Sequence, residues 1–214
     1  MIRLSDLQPI PLVSLGLNPD SDIFATTCEF RHGKRYLVAA PSGRGKSTLF
    51  HCIYGLRKDY SGAISIDSHD IGAFTPDDWA DRRQKDLAIV FQDLRLFPQL
   101  SGLENIQLHR DLNPVVEDTT LRHWAHELQM DDEWEKPVEK LSYGQRQRIA
   151  ILRALSRPFR YLLLDEPFSH LDPRNTEAAL HLILEACTAH GAGMLLASLG
   201  GEAFEVEFEG RYDL

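Results

Sequence analysis

The run APSGRGKST, Ala40 to Thr48, sits between an apolar pentapeptide, YLVAA, and KSTLFHCIYGL, whose length and apolar spacing are helical. A turn between a strand and a helix N-terminus aims several backbone N–H groups at one point. The helix dipole adds partial positive charge there, so phosphate is the natural ligand. Gly43 and Gly45 permit the backbone angles and the close approach, Lys46 can reach the β- and γ-phosphates, and the Ser47 hydroxyl suits Mg²⁺. Pro41, Ser42, Arg44 and Thr48 complete the cradle. The pattern G-x-x-x-x-G-K-[ST] is met except that Ala40 stands at its first glycine, which is tolerable where φ is negative. The expected ligand is a nucleoside triphosphate.

Hydrolysis needs a second element. In YLLLDEPFSHLD the apolar run Tyr161 to Leu164 places Asp165 and Glu166 at the C-terminal end of a strand, where parallel sheets gather their ligands. Asp165 suits the Mg²⁺ shell, and Glu166 suits polarising a water for in-line attack on a γ-phosphate.

These residues need elements to hold them. YLVAA, AISID, LAIVF, YLLLDE and MLLAS read as strands, with a mainly helical stretch from about Leu94 to Arg157 and a helix over NTEAALHLILEACTAH. AFEVEFEGRYDL alternates with period two and reads as a β-rich ending. Such alternation predicts an α/β fold with a largely parallel sheet. The 214 residues, 43% hydrophobic and 26% charged, suit one domain, 1–214, and exclude disordered and fibrous classes. A net charge of -9 argues against broad binding to a nucleic acid backbone. Cys28, Cys52 and Cys187 have no paired spacing and read as reduced thiols, while His123 and His126 fall on the face of an amphipathic helix rather than in a metal site. No stretch reaches the roughly 20 apolar residues of a membrane span. Asp6, Pro9 and Pro11 disfavour a signal peptide.

With these pieces in place, LSYGQRQRIAILRAL, Leu141 to Leu155, resembles the signature of the ATP-binding cassette ATPases, and the likeness extends over essentially the whole chain. IVFQDLRLFPQLSGLEN is similar to that family's Gln loop and SHLD to its D-loop. The resemblance implies a P-loop core over about 1–92 and 158–214 with a mostly parallel sheet, an N-terminal antiparallel β part, and a helical subdomain over about 93–157. It implies ATP and Mg²⁺ as cofactors, and head-to-tail pairing with a second such ATPase, as homodimer or heterodimer. Ser142, Gly144 and Gln145 of one subunit would then meet the nucleotide on the other, and Asp172 would cross the interface. Gln92 would join Ser47 and Asp165 at the metal and report the state of the γ-phosphate.

Four features depart from the family. Ala40 is one. LQPIPLVS offers no aromatic residue for stacking adenine. Tyr143 stands where the signature usually has Gly. At the site itself, LLASLGGE aligns Leu199 with the family's switch histidine, and Leu can donate to neither phosphate nor water. His190 lies at the opposite end of that strand. The expected function is an ATPase subunit, cytoplasmic and peripheral on the inner face of the cell membrane, that drives a separate integral membrane permease with slow hydrolysis. LRLFPQL, with Leu94, Leu96, Phe97 and Leu100, is either a docking surface or subdomain core. The alternative is an ATP-driven clamp in a nucleic-acid or other non-transport machine, although direct nucleic-acid contact is not expected. That reading is disfavoured by acidity and by the short distance between phosphate loop and signature.

Overall fold

A computed structural model describes residues 1–200 and 204–214. In chain order the elements are β1 (Ile2–Pro9), α1 (Ile10–Leu15), β2 (Thr27–Phe30), β3 (Arg35–Ala39), α2 (Lys46–Ile53), β4 (Tyr60–Ile66) and β5 (His69–Asp70). They continue with α3 (Pro76–Lys85), β6 (Leu87–Val90), α4 (Gly102–Arg110), α5 (Asp118–Glu127), α6 (Tyr143–Leu155), β7 (Tyr161–Asp165), α7 (Pro173–His190), β8 (Gly193–Ser198) and β9 (Gly210–Asp213).

Two sheets result. The first is antiparallel, ordered β2-β1-β4-β5. The second is parallel, ordered β6-β7-β8-β3-β9. β6, β7 and β8 are buried at every position, as continuous apolar runs are in a parallel sheet covered on both faces. Alternation along each strand then divides the core. Leu162, Leu164, Met194 and Leu196 face the helices α4 to α7, whereas Tyr161, Leu163, Leu195 and Ala197 face α2 and the antiparallel sheet. The order of the parallel sheet brings the C-terminal ends of β3, β6, β7 and β8 together. The loops that follow them carry Ala40 to Gly45, Gln92, Glu166 and Leu199.

Two expectations change here. The C-terminal segment is strand only over β9, and residues 204–209 form no ladder. Their period-two pattern has a different cause: Phe204, Val206 and Phe208 pack on the helical side of the core, with the Phe204 ring tilted against Phe168 at 5.8 Å between centroids. The first part of that stretch, through Ala203, lies outside the described residues. LRLFPQL, for its part, divides between its two readings. Leu94 is buried in the core and Phe97 is 54% exposed.

In the helical stretch, Leu121, Trp124 and Ala125 turn one face of α5 inward, leaving His123 and His126 outside. His126 meets Asp131 at 3.1 Å.

Candidate active site

The phosphate loop runs from β3 into α2. Ala40 is absent from the residues with positive φ, so its methyl group costs nothing there, and its N–H donates to Ser198 O at 3.1 Å. Gly43 and Gly45 have φ of 79° and 105°, in the region that favours glycine. A Cβ on Gly45 would also lie 2.5 Å from Leu12 Cδ1 and 3.1 Å from Phe24 Cε2, so those side chains would have to shift, and the positive φ is the stronger reason for glycine there. Pro41 to Arg44 are exposed, Lys46 is buried, and Ser47 and Thr48 lie half-buried in the first turn of α2.

Lys46 Nζ donates to Ala40 O at 2.6 Å and Pro41 O at 3.1 Å, and pairs with Glu166 Oε1 at 3.2 Å. Ser47 Oγ donates to Gln92 Oε1 at 3.3 Å, and Gln92 Nε2 donates to Glu166 Oε2 at 3.4 Å. Residues from the ends of β3, β6 and β7 therefore form one connected group. Glu166 itself holds a left-handed φ of 50°, unusual for a non-glycine residue and typical of strain kept at functional positions. Its N–H donates to Ala197 O at 3.2 Å, fixing that turn on β8.

Asp165 lies beside this group, and its Oδ1 is buried with no hydrogen-bond partner. Burial, the largest cause, pushes its carboxyl up to about 6. The hydrogen bond with Ser47 and the charge of Lys46 oppose that rise, and the charge of Glu166 adds to it. An orphaned carboxylate oxygen beside a hydroxyl and an amide oxygen is an all-oxygen donor set, and it fits Mg²⁺ shared with phosphate.

The signature residues open α6. Ser142 is its N-cap: Ser142 Oγ accepts from Gln145 N at 3.2 Å, and Gln145 Oε1 accepts from Ser142 N at 2.8 Å. Gly144 packs closely, since a Cβ there would lie 2.9 Å from His170 O. Asp172 caps α7, accepting from Asn175 N at 2.9 Å and from Asn175 Nδ2 at 2.7 Å. Both capping pairs are local.

A family model described as ABC transporter matches residues 25–169. The chain belongs to the ABC transporter family. Among its relatives, the glutamate/glutamine/aspartate/asparagine transport ATP-binding protein BztD of Rhodobacter capsulatus is 32% identical over 77% of this chain and 66% of its own length. The thiamine import ATP-binding protein ThiQ of Escherichia coli K12 is 34% identical over 82% of this chain and 73% of its own. In fold, the chain is similar to the dimeric structure of MJ0796, a bacterial ABC transporter cassette. That match has a TM-score of 0.77 and 23% identity, covering 93% of this chain and 88% of that one. A post-hydrolysis state of the same cassette, bound to ADP and Pi, gives 0.75 and 24%, covering 92% and 88%.

As an ABC ATPase, the chain has features that its motifs did not announce. A cavity of about 230 Å³ beside the phosphate loop is lined by Leu12, Leu17 and Phe24 together with Ser42 to Arg44. An apolar wall thus exists, though Phe24 lies outside any motif. Gln147 and Tyr143 also join the site through main-chain contacts. Only the missing glycine at Tyr143 marked either of them in the sequence. Leu199 is 49% exposed just after β8, whose carbonyls at Ala197 and Ser198 hold Glu166 and Ala40.

Proposed function

We propose that this chain is the MgATP-hydrolysing subunit of an ABC transporter, working peripherally on a separate membrane permease and pairing with a second ATPase subunit. The observation that carries this reading is the chain of contacts from Lys46 and Ser47 through Gln92 to Glu166. Lys46 leaves the two loop carbonyls and Glu166 to meet the β- and γ-phosphates, which releases the Glu166 carboxylate. Glu166 then accepts the proton of the attacking water, and Gln92 orients that water with its amide. Ser47, Asp165 and Gln92 would hold a magnesium ion, which would supply positive charge against the phosphate oxygens. Ser142, Gly144 and Gln145 present the N-terminus of α6 to the partner subunit's nucleotide, and Asp172 lies at that interface.

ThiQ, a thiamine import ATP-binding protein, makes an importer one precedent for the coupled process. Leu199 supplies no hydrogen-bond donor where the family has its switch histidine. A positioned donor in such a site contributes about 10²-fold to 10³-fold in rate. Slow turnover follows from that loss. In steady-state assays the parent should bind ATP well but turn it over slowly, Leu199→His should gain at least about tenfold, and Glu166→Gln should be inactive while still binding ATP. Brisk parental turnover that disappears in Glu166→Gln would refute the slow site and keep the ATPase reading. Turnover that survives Glu166→Gln would refute the assignment of the base.

A further inference from the structure

Tyr143 and Gln147 stand four residues apart on α6, one helical turn, so their side chains share a face. Tyr143 Oη donates to the main-chain carbonyl of Gln92 at 2.8 Å. Its ring lies on the imidazole of His170, with centroids 4.1 Å apart, and under the guanidinium of Arg146 at 5.3 Å. Gln147 is almost fully buried and satisfied on both sides of its amide. Its Nε2 donates to the main-chain carbonyl of Glu166 at 3.2 Å and to Ser169 Oγ at 3.4 Å, while its Oε1 accepts from His170 N at 3.2 Å.

One helix face therefore grips the backbone of both residues whose side chains meet as Gln92 Nε2 and Glu166 Oε2. The two grips differ in kind. Gln147 is a buried amide, and losing it takes the partner from the Glu166 carbonyl, at the residue with left-handed φ, and from the His170 N–H. Tyr143 is a half-exposed tether, and a glycine at that position could not make it.

We propose that Tyr143 and Gln147 are positioning residues that set the separation of Gln92 and Glu166 from the single helix α6. The proposal rests on the reading of Gln92 and Glu166 as the water-orienting pair. Its consequence is specific: the first two turns of α6 fix catalytic geometry in their own chain, in addition to whatever they present to a partner subunit. A purely structural role would weaken nucleotide binding, catalysis and melting together. A positioning role lowers kcat while leaving the phosphate loop, and hence ATP affinity, intact.

The experiment uses the full chain with Tyr143→Phe, which removes one oxygen, Gln147→Met, which conserves volume, and the double variant. Single-turnover ATP hydrolysis, ATP affinity in EDTA and amide hydrogen exchange are measured for each. Tyr143→Phe should lose about tenfold in hydrolysis rate, keep ATP affinity within about twofold, and speed exchange in the segment after Gln92. Gln147→Met should lose more, with faster exchange after Glu166. The double variant should lose less than the product of the two singles, because both act on one separation. A Tyr143→Phe rate within twofold of the parent, unchanged exchange after Gln92, or a rate loss matched by lost ATP affinity would each overturn the proposal. If Gln147→Met fails to fold, Tyr143→Phe still decides it. Glu166→Gln serves as the separate control. Hydrolysis surviving in that variant refutes the reading underneath, whereas hydrolysis lost there but unchanged in Tyr143→Phe refutes the positioning role alone.

Discussion

At Asp165 a buried carboxylate without a partner on one oxygen is a cost, one that the proposed metal would relieve. Its carboxyl titrates at about 6 in the folded chain, above the ordinary 3.8, so between those values the folded state binds the extra proton. Its contribution to stability is therefore fully present below about pH 4 and is lost as pH rises through about 6. At pH 7.5 the penalty is at most about 3 kcal/mol. Asp165→Asn should raise the melting temperature at pH 7.5 in EDTA, with the gain vanishing by pH 4, and should abolish stabilisation by MgATP over ATP alone. A variant that melts lower than the parent at pH 7.5 in EDTA would contradict this. Spacing made Asp165, Glu166, Lys46 and Ser47 legible, because a phosphate loop and a strand ending in two acids are local patterns. Tyr143 and Gln147 were illegible in their roles. Their partners lie 51 and 19 residues away, and both bonds go to main-chain carbonyls, which leave no side-chain signal.

Among elements, the same helix α6 also sets the far side of the Gln92 loop. Leu94 and Arg95 are successive left-handed residues, with φ of 60° and 47°, a conformation costing roughly 1–2 kcal/mol per residue. Arg153 holds them there, with Nη1 donating to Arg95 O and Nη2 to Leu94 O, each at 2.6 Å. Burial, followed by the neighbouring Arg157 charge, lowers its guanidinium to about 10, so it stays charged at neutral pH. Arg153→Met would strand two carbonyls at a strained turn and should cost about 2–4 kcal/mol in urea unfolding. Arg153→Lys should recover only part of that, since an ammonium cannot reproduce the planar fork. Full recovery by Lys would show that charge, rather than the fork, holds the turn. The strands were legible as unbroken apolar runs because a covered parallel sheet demands them. The left-handed pair was not, because neither Leu nor Arg signals positive φ. The alternation after Ala203 misled for a related reason: side chains packing on one core face give period two whether or not the backbone finds a ladder.

Across the whole molecule, no helix of the described residues is long and apolar enough to cross a membrane. On the proposed function, the contact with a separate permease would be made through a surface. Phe97 is the candidate anchor. The backbone on either side of it is tied down, with Phe97 N donating to Asn105 Oδ1 at 2.8 Å and Asn105 Nδ2 donating to Phe97 O at 3.0 Å, while its ring points outward. Asn105 is fully buried, so the clamp holds the exposed aromatic in place rather than leaving it to fold back onto the core. Leu108, Leu112 and Val115 add exposed apolar residues on the end of α4 and the loop beyond it, and that same stretch starts from Gln92. A partner pressing on Phe97 would therefore bear on the segment that carries Gln92. Phe97→Glu places a charge in that contact without touching the core, so melting and ATP affinity should match the parent, the basal rate included. Affinity purification from native membranes should lose the co-purifying integral protein, or retain it at less than about a tenth of the parental yield. Equal recovery from both would place the permease contact elsewhere and return Phe97 to an ordinary surface residue.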